Sequence, residues 1–288
     1  MIDADKLHGA AIPEGTFGWI ERDAILYALS VGTTDLTPRN LARVYERNLQ
    51  VLPTFGALGG MIDVDQFCAL PGAGFDFARM LHAQHEIELH QPIPPRATDV
   101  VRTGKVVGVH DKGRSAMVVV DTDTTLDGAP LVTTRTTCFI TGEGGFGASV
   151  GETPRPVADI PDRAPDASVS VATTATQAAL YRLSGDWNIL HIDPESAASV
   201  GFDRPILHGM CSFGIAVTAV IDALLEGKAE EVCRVSTRFT GVAYPGDVLL
   251  TRAWSGDGGA VFETVAANRD NAPILSGGSV LTTSTKES

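Results

Sequence analysis

Residues 205–225, PILHGMCSFGIAVTAVIDALL, are apolar on nearly every face when wound at helical spacing. A helix of that kind has no side to show water, so the surrounding chain must enclose it. The segments C-terminal to it alternate instead: AVFETVAAN (260–268) and ILSGGSVLTT (274–283) carry apolar residues at strand spacing around the turn Asp270-Asn271. A helix buried all round with antiparallel strands after it predicts the α+β class, a sheet wrapped around one helix.

The first half of the chain echoes the second. Asp127-Gly128-Ala129-Pro130-Leu131-Val132 resembles Asp270-Asn271-Ala272-Pro273-Ile274-Leu275, an offset of half the chain, and AMVVVDTDT (116–124) and LVTTRTTCFI (131–140) flank the earlier turn. Strand, polar turn, strand is a hairpin pattern in both places. Upstream, Pro95…Asp99-Val100 and Pro245-Gly246-Asp247-Val248 open comparable strands. An internal duplication explains the echo most economically. Between the halves, GEGGFGASVG (142–151) is glycine-rich and TPRPVADIPDRAPDAS (153–168) holds four prolines, a composition that sustains neither helix nor central strand. The expected organisation is therefore a domain over 1–150, a linker over 151–168 and a second domain over 169–288. In the first half, RNLARVYERNL (39–49) is expected to be a helix and HEIELHQPI onward to be sheet.

Charge and composition exclude several classes. A net charge of −13 argues against nucleic acid and against an anionic membrane surface as partner. An anionic ligand would need a local basic patch. Cys68, Cys138, Cys211 and Cys233 are widely spaced, without a CxxC pair, which suits buried free thiols in a reducing compartment. No apolar run approaches about 18 residues, Met1–Lys6 is no signal peptide, and Thr285-Lys286-Glu287-Ser288 carries no organelle address, so the cytoplasm is expected. No cofactor is expected either. GEGGFG lacks the Gly-Lys-Ser/Thr of a phosphate loop, dinucleotide fingerprints are absent, and His85 and His90 have opposite strand parity, which argues against a metal site with His82.

The chemistry concentrates at 181–214. Thr174…Gln177 fits a capping box opening a helix that ends near Gly185, and Asp193-Pro194-Glu195 fits the start of a second short one. Asp186, Asn188 and His191 then share the loop between them, and His208-Gly209 sits at the mouth of the apolar helix. A carboxylate and an imidazole converging on one point can hold and deprotonate a water. A helix N-terminus can stabilise an oxyanion, and glycine there lets a ligand approach closely. Together these predict acid/base chemistry on a carbonyl compound. Asn188 either bonds the same water or caps a turn, and His208 either meets substrate or fixes the loop. Arg234 and Arg238, of like parity on a predicted strand, either reach ligand phosphates or are solvated; the same two readings hold for Lys112 and Arg114.

The stretch Tyr181-Arg182-Leu183-Ser184-Gly185-Asp186, Asn188, Leu190-His191, Asp193-Pro194, Gly201-Phe202 and Pro205-Ile206-Leu207-His208-Gly209-Met210-Cys211 resembles the MaoC-like, or type 2 (R-specific), enoyl-CoA hydratases. Ile189 departs from the proline expected there. Leu52-Pro53-Thr54-Phe55-Gly56 and Gly144-Gly145-Phe146-Gly147 extend the resemblance to the longer branch with two hot-dog domains. The resemblance implies two tandem hot-dogs forming a pseudo-dimer, with one active site because the first half has no counterpart of Asp186…His191. It implies that the Gly209 N–H binds a thioester oxygen. An acyl-CoA, or an acyl group on acyl carrier protein, would be the substrate, hydrated to a (3R)-3-hydroxyacyl thioester, and the chain would form a homodimer. An acyl-CoA thioesterase and a non-catalytic acyl-CoA-binding protein are the competing readings.

Overall fold

The computed structural model describes residues 2–33, 35–59 and 64–283; Met1 and the C-terminal residues read for an organelle address, 285–288, lie outside them. The first half contributes β1 (Ala11–Trp19), β2 (Met80–Leu89), β3 (Ala97–Asp111), β4 (Ser115–Leu126), β5 (Ala129–Thr141) and β6 (Ser149–Gly151). The second contributes β7 (Ala167–Ala172), β8 (Val232–Phe239), β9 (Val248–Gly256), β10 (Gly259–Ala266) and β11 (Ala272–Thr282). All pair antiparallel, in the order β1-β3-β4-β5-β2-β8-β11-β10-β9-β7, with β6 beside β3. The two halves therefore share one continuous sheet, joined where Gln84–Glu88 of β2 pair with Arg238–Arg234 of β8.

The turns carry the register. Asp127 and Gly128 both have positive φ, 52° and 78°, as a tight two-residue hairpin requires, and Leu126 pairs with Ala129 across it. Asp270 and Asn271 repeat the pair of positive φ values, at 51° and 54°, in the longer loop between Ala266 and Ala272. The sequence echo thus marks two equivalent turns. Residues 152–166 run without helix or strand over the outer face, where Arg155 pairs with Glu86. The glycine-rich stretch before them wraps a carboxylate: Asp111 accepts the N–H groups of Gly113, Gly145 and Gly147.

The helices are α1 (Ala4–Leu7), α2 (Glu21–Ser30), α3 (Pro38–Val44), α4 (Gly56–Gly59), α5 (Val64–Cys68), α6 (Gln177–Tyr181), α7 (Pro194–Ser199) and α8 (Gly209–Leu224). Among the described residues only α8 is long and central, and every residue from Cys211 to Ile221 is buried. Full burial of Phe213 or Ile215 contributes about 1.5–3 kcal/mol each. This is the hot-dog arrangement: β7–β11 curl around α8. In the first half no comparable helix lies against β1–β5 among the described residues; the single turn of α4 and the short α5 lie there instead.

Two expectations are corrected in extent. The apolar run begins at Pro205, yet α8 begins at Gly209, because Leu207 N–H bonds the Ala243 carbonyl (2.8 Å) and ties the preceding segment sideways. The helix expected over 39–49 ends at Val44, with Tyr45 extended (φ −122°, ψ 126°). Arg43 explains the priority given to α3. Its fully buried guanidinium bonds both carboxylate oxygens of Asp222 on α8, at 3.0 and 2.6 Å, locking the halves together. Asp222→Ala leaves that charge buried and unpaired, so it is expected to cost about 3–5 kcal/mol in urea unfolding. A loss under about 1 kcal/mol would mean that water reaches Arg43 and does the work of the carboxylate.

Candidate active site

The loop from α6 to α7 is shaped by its own polar side chains. Gln177 reaches back to the Thr174 N–H (3.1 Å), but the Thr174 hydroxyl bonds Gln177 instead of a helix N–H, so only half of the expected box forms. The free end of Gln177 donates to the Ser30 carbonyl (2.7 Å), fixing the loop to the first half. A 3-10 turn, 182–184, ends at Gly185, whose φ of 124° turns the chain outward. The Asp186 carboxylate accepts the Asn188 N–H (3.2 Å), and the Asn188 side chain caps the next turn by accepting the Leu190 N–H (3.0 Å). Asp193 caps α7 through the Glu195 N–H (3.0 Å), as its position before proline predicts.

These turns bring His191 inward. Its Nδ1 lies 3.0 Å from the Ile206 carbonyl, which can only accept, so Nδ1 carries the proton and Nε2 is left as the basic nitrogen. His208 lies against it, ring centroids 3.8 Å apart, and its Nε2 donates to the Asp186 backbone carbonyl (3.3 Å). His208 thus pins the backbone that carries the carboxylate. Burial depresses the basicity of both rings. For His191 the nearby Asp186 and the Ile206 carbonyl oppose the shift, whereas for His208 its neighbour His191 adds to it and takes the value to about 2. Two neutral imidazoles and one carboxylate result.

The ligand atoms of Asp186, His191 and His208 lie within 4.8 Å of one another, a span that one water bridges. They also form the one cluster among the described residues that could be asked to hold a metal. Its rings argue otherwise. A metal sits about 2.0–2.1 Å from each imidazole nitrogen and near the plane of each ring, and two face-stacked rings inclined by only 30° do not aim at one such point.

Gly209 is the first residue of α8, where backbone N–H groups have no partner within the helix. A Cβ there would stand 3.0 Å from the Phe239 ring, so the close packing itself calls for glycine. Asp186, Asn188, His191 and Gly209 all border one largely apolar cavity of about 350 Å³ that runs between the halves. Arg234 and Arg238 do not join them. Both lie on β8 at positions alternate to the inward Val235 and Thr237, and Arg234 bonds Glu88 (2.9 Å) on the outer face. Arg182 lies 4.4 Å over the Trp187 ring and Arg204 4.8 Å over Tyr244, and neither lines the cavity. Lys112 and Arg114 are exposed on the β3–β4 turn, outside the cavity lining. The resemblance carried no signal for Arg204. Nor did it mark His82 and His85, which border the cavity from the first half.

Comparison with known proteins gives the family. The MaoC like domain profile matches residues 156–273, and the MFE-2 hydratase 2 N-terminal domain matches residues 17–142. Over 281 residues, 96% of this chain and 97% of its relative, 40% of positions are identical to the enoyl-CoA hydratase ChsH3 of Mycobacterium tuberculosis. The chain belongs to the MaoC-like enoyl-CoA hydratase 2 family. The peroxisomal enoyl-CoA hydratase 2 of Arabidopsis thaliana shares 35% identity over 96% of this chain and 94% of its own. The crystal structure of a MaoC-like dehydratase from Phytophthora capsici superposes with a TM-score of 0.87 at 30% identity, covering 98% of each chain. As a member of this family the chain has the double hot-dog fold. Among the described residues, no helix is long and apolar enough to cross a membrane.

Proposed function

We propose that this hydratase-family chain adds water to trans-2-enoyl-CoA thioesters, giving (3R)-3-hydroxyacyl-CoA, and runs the reverse dehydration over the same groups. The observation that carries the reading is the convergence of Asp186 and His191 beside the N-terminus of α8, on the wall of an apolar cavity. The thioester oxygen takes the Gly209 N–H, where the helix end supplies partial positive charge as electron density moves off C2=C3. One water lies between the Asp186 carboxylate and His191 Nε2. Its oxygen bonds to C3, its proton passes to this pair, and a proton from the pair reaches C2. Because the two groups act on one water, the first proton is assigned to the pair. Arg182 and Arg204, which lie in the chain beside the cavity-lining Tyr181, Phe202 and Ile206, suit coenzyme A phosphates better than the outward Arg234.

The test is hydration of trans-2-enoyl-CoAs of graded length, followed as loss of enoyl absorbance, with chiral analysis of the alcohol. The (3R)-alcohol is expected. Release of free thiol would replace the reading with a thioesterase, and binding without turnover would leave acyl-carrier-protein substrates or a binding protein.

A further inference from the structure

The cavity wall supplied by the first half carries two polar side chains that the hydration chemistry does not use. His82 and His85 both lie on β2 and both border the cavity. Three residues apart, they would face opposite ways on a regular strand. The pairing of β2 with β5 breaks register between His82 and Gln84, and the extra residue brings both rings to one side, 5.1 Å apart and nearly perpendicular. His85 Nδ1 meets the Thr136 hydroxyl at 3.1 Å. The Nε2 atom of each ring is buried and has no hydrogen-bond partner.

An unpartnered buried nitrogen is costly, and two side by side are unusual where a leucine or phenylalanine would fill the same space. Burial keeps both rings neutral, His82 with a pKa lowered to about 4, so each offers one N–H and one bare nitrogen. Neither belongs to a described cluster of three metal-ligating groups. Their place in the cavity is set by Phe239, which covers Gly209 on one side and lies 4.6 Å from the His82 ring on the other. The pair is therefore one aromatic ring away from Gly209, the residue proposed to bind the thioester oxygen.

We propose that His82 and His85 recognise a hydroxyl group on the acyl chain, so that this site prefers oxygenated acyl thioesters to plain hydrocarbon ones. The proposal rests on reading the cavity as the acyl site of an enoyl-CoA hydratase. A hydroxyl both donates and accepts, so it matches either tautomer of either ring, whereas a ketone or ether oxygen only accepts.

Calorimetric titration of the full chain with saturated acyl-CoAs tests this without needing turnover. One chain length is used, either plain or with a hydroxyl moved outward from beyond C3. At one position the hydroxyl is expected to tighten Kd about tenfold or more, the scale of one hydrogen bond to an otherwise unpaired buried group. The gain should fall to about twofold or less in His82→Phe and in His85→Phe. No gain at any position, or a gain that survives both substitutions, overturns the proposal. If either variant fails to fold, the profile of the unaltered protein decides alone. Turnover of plain trans-2-enoyl-CoA, followed in parallel, judges the hydratase reading separately.

Discussion

Asp186→Asn is expected to slow hydration by about 10²–10⁴-fold while leaving the protein folded. The substitution is conservative for structure. Asparagine retains an oxygen to accept the Asn188 N–H, and the backbone carbonyl that takes His208 Nε2 is unchanged. What is lost is the carboxylate that, in the proposed mechanism, shares a proton with His191 and holds the attacking water. The check is kcat at saturating enoyl-CoA alongside thermal unfolding. A variant that turns over within tenfold of the parent would show that Asp186 only shapes the loop. His191→Ala is a poorer probe, because it also frees the Ile206 carbonyl that positions the entry to α8.

The second large effect is acid lability. His82, His85 and His208 are held neutral by burial, with His82 lowered to about 4 and His208 to about 2. In the unfolded chain each protonates near 6.5. Between these values the unfolded state binds protons that the native state refuses, so stability is complete above about pH 6.5 and is lost as pH falls towards the folded values. For His82 the drop from 6.5 to about 4, at about 1.4 kcal/mol per pH unit, amounts to about 3 kcal/mol. His85, His208 and His191 are shifted the same way by burial and add to that loss, which stands against the 5–15 kcal/mol typical of a folded protein. Urea unfolding from about pH 7.5 down to about pH 4.5 is expected to show this fall, with protons taken up on unfolding. In the double variant with His82→Phe and His85→Phe, two of those protons should disappear. A flat profile would mean that water already solvates the rings.

Much of the fold was legible because its signals are local. The all-round apolar run marked α8, and paired turn residues with positive φ marked the hairpins at Asp127-Gly128 and Asp270-Asn271. Asp186, Asn188 and His191 were legible for the same reason: six consecutive residues build the loop that carries them. The parts that were not legible depend on pairing between distant strands. Parity placed Arg234 and Arg238 on one face of their strand, but which face looks outward is decided by β2 and β11 on either side. Parity also separates His82 from His85, and only the irregularity against β5 reunites them. Arg43, an ordinary arginine in sequence, is fully buried because Asp222 reaches it from the other half.

The seam between β2 and β8 has a further consequence. When two identical chains pair about a twofold axis, any substitution occurs in both subunits, so neither cleft can change without the other. Here both halves lie on a single chain and share a single sheet, so each position varies alone. One half is free to keep its long helix and the loop that carries Asp186 and His191. The other can give up that helix, open a chamber in its place, and line the chamber with side chains that its twin could not tolerate.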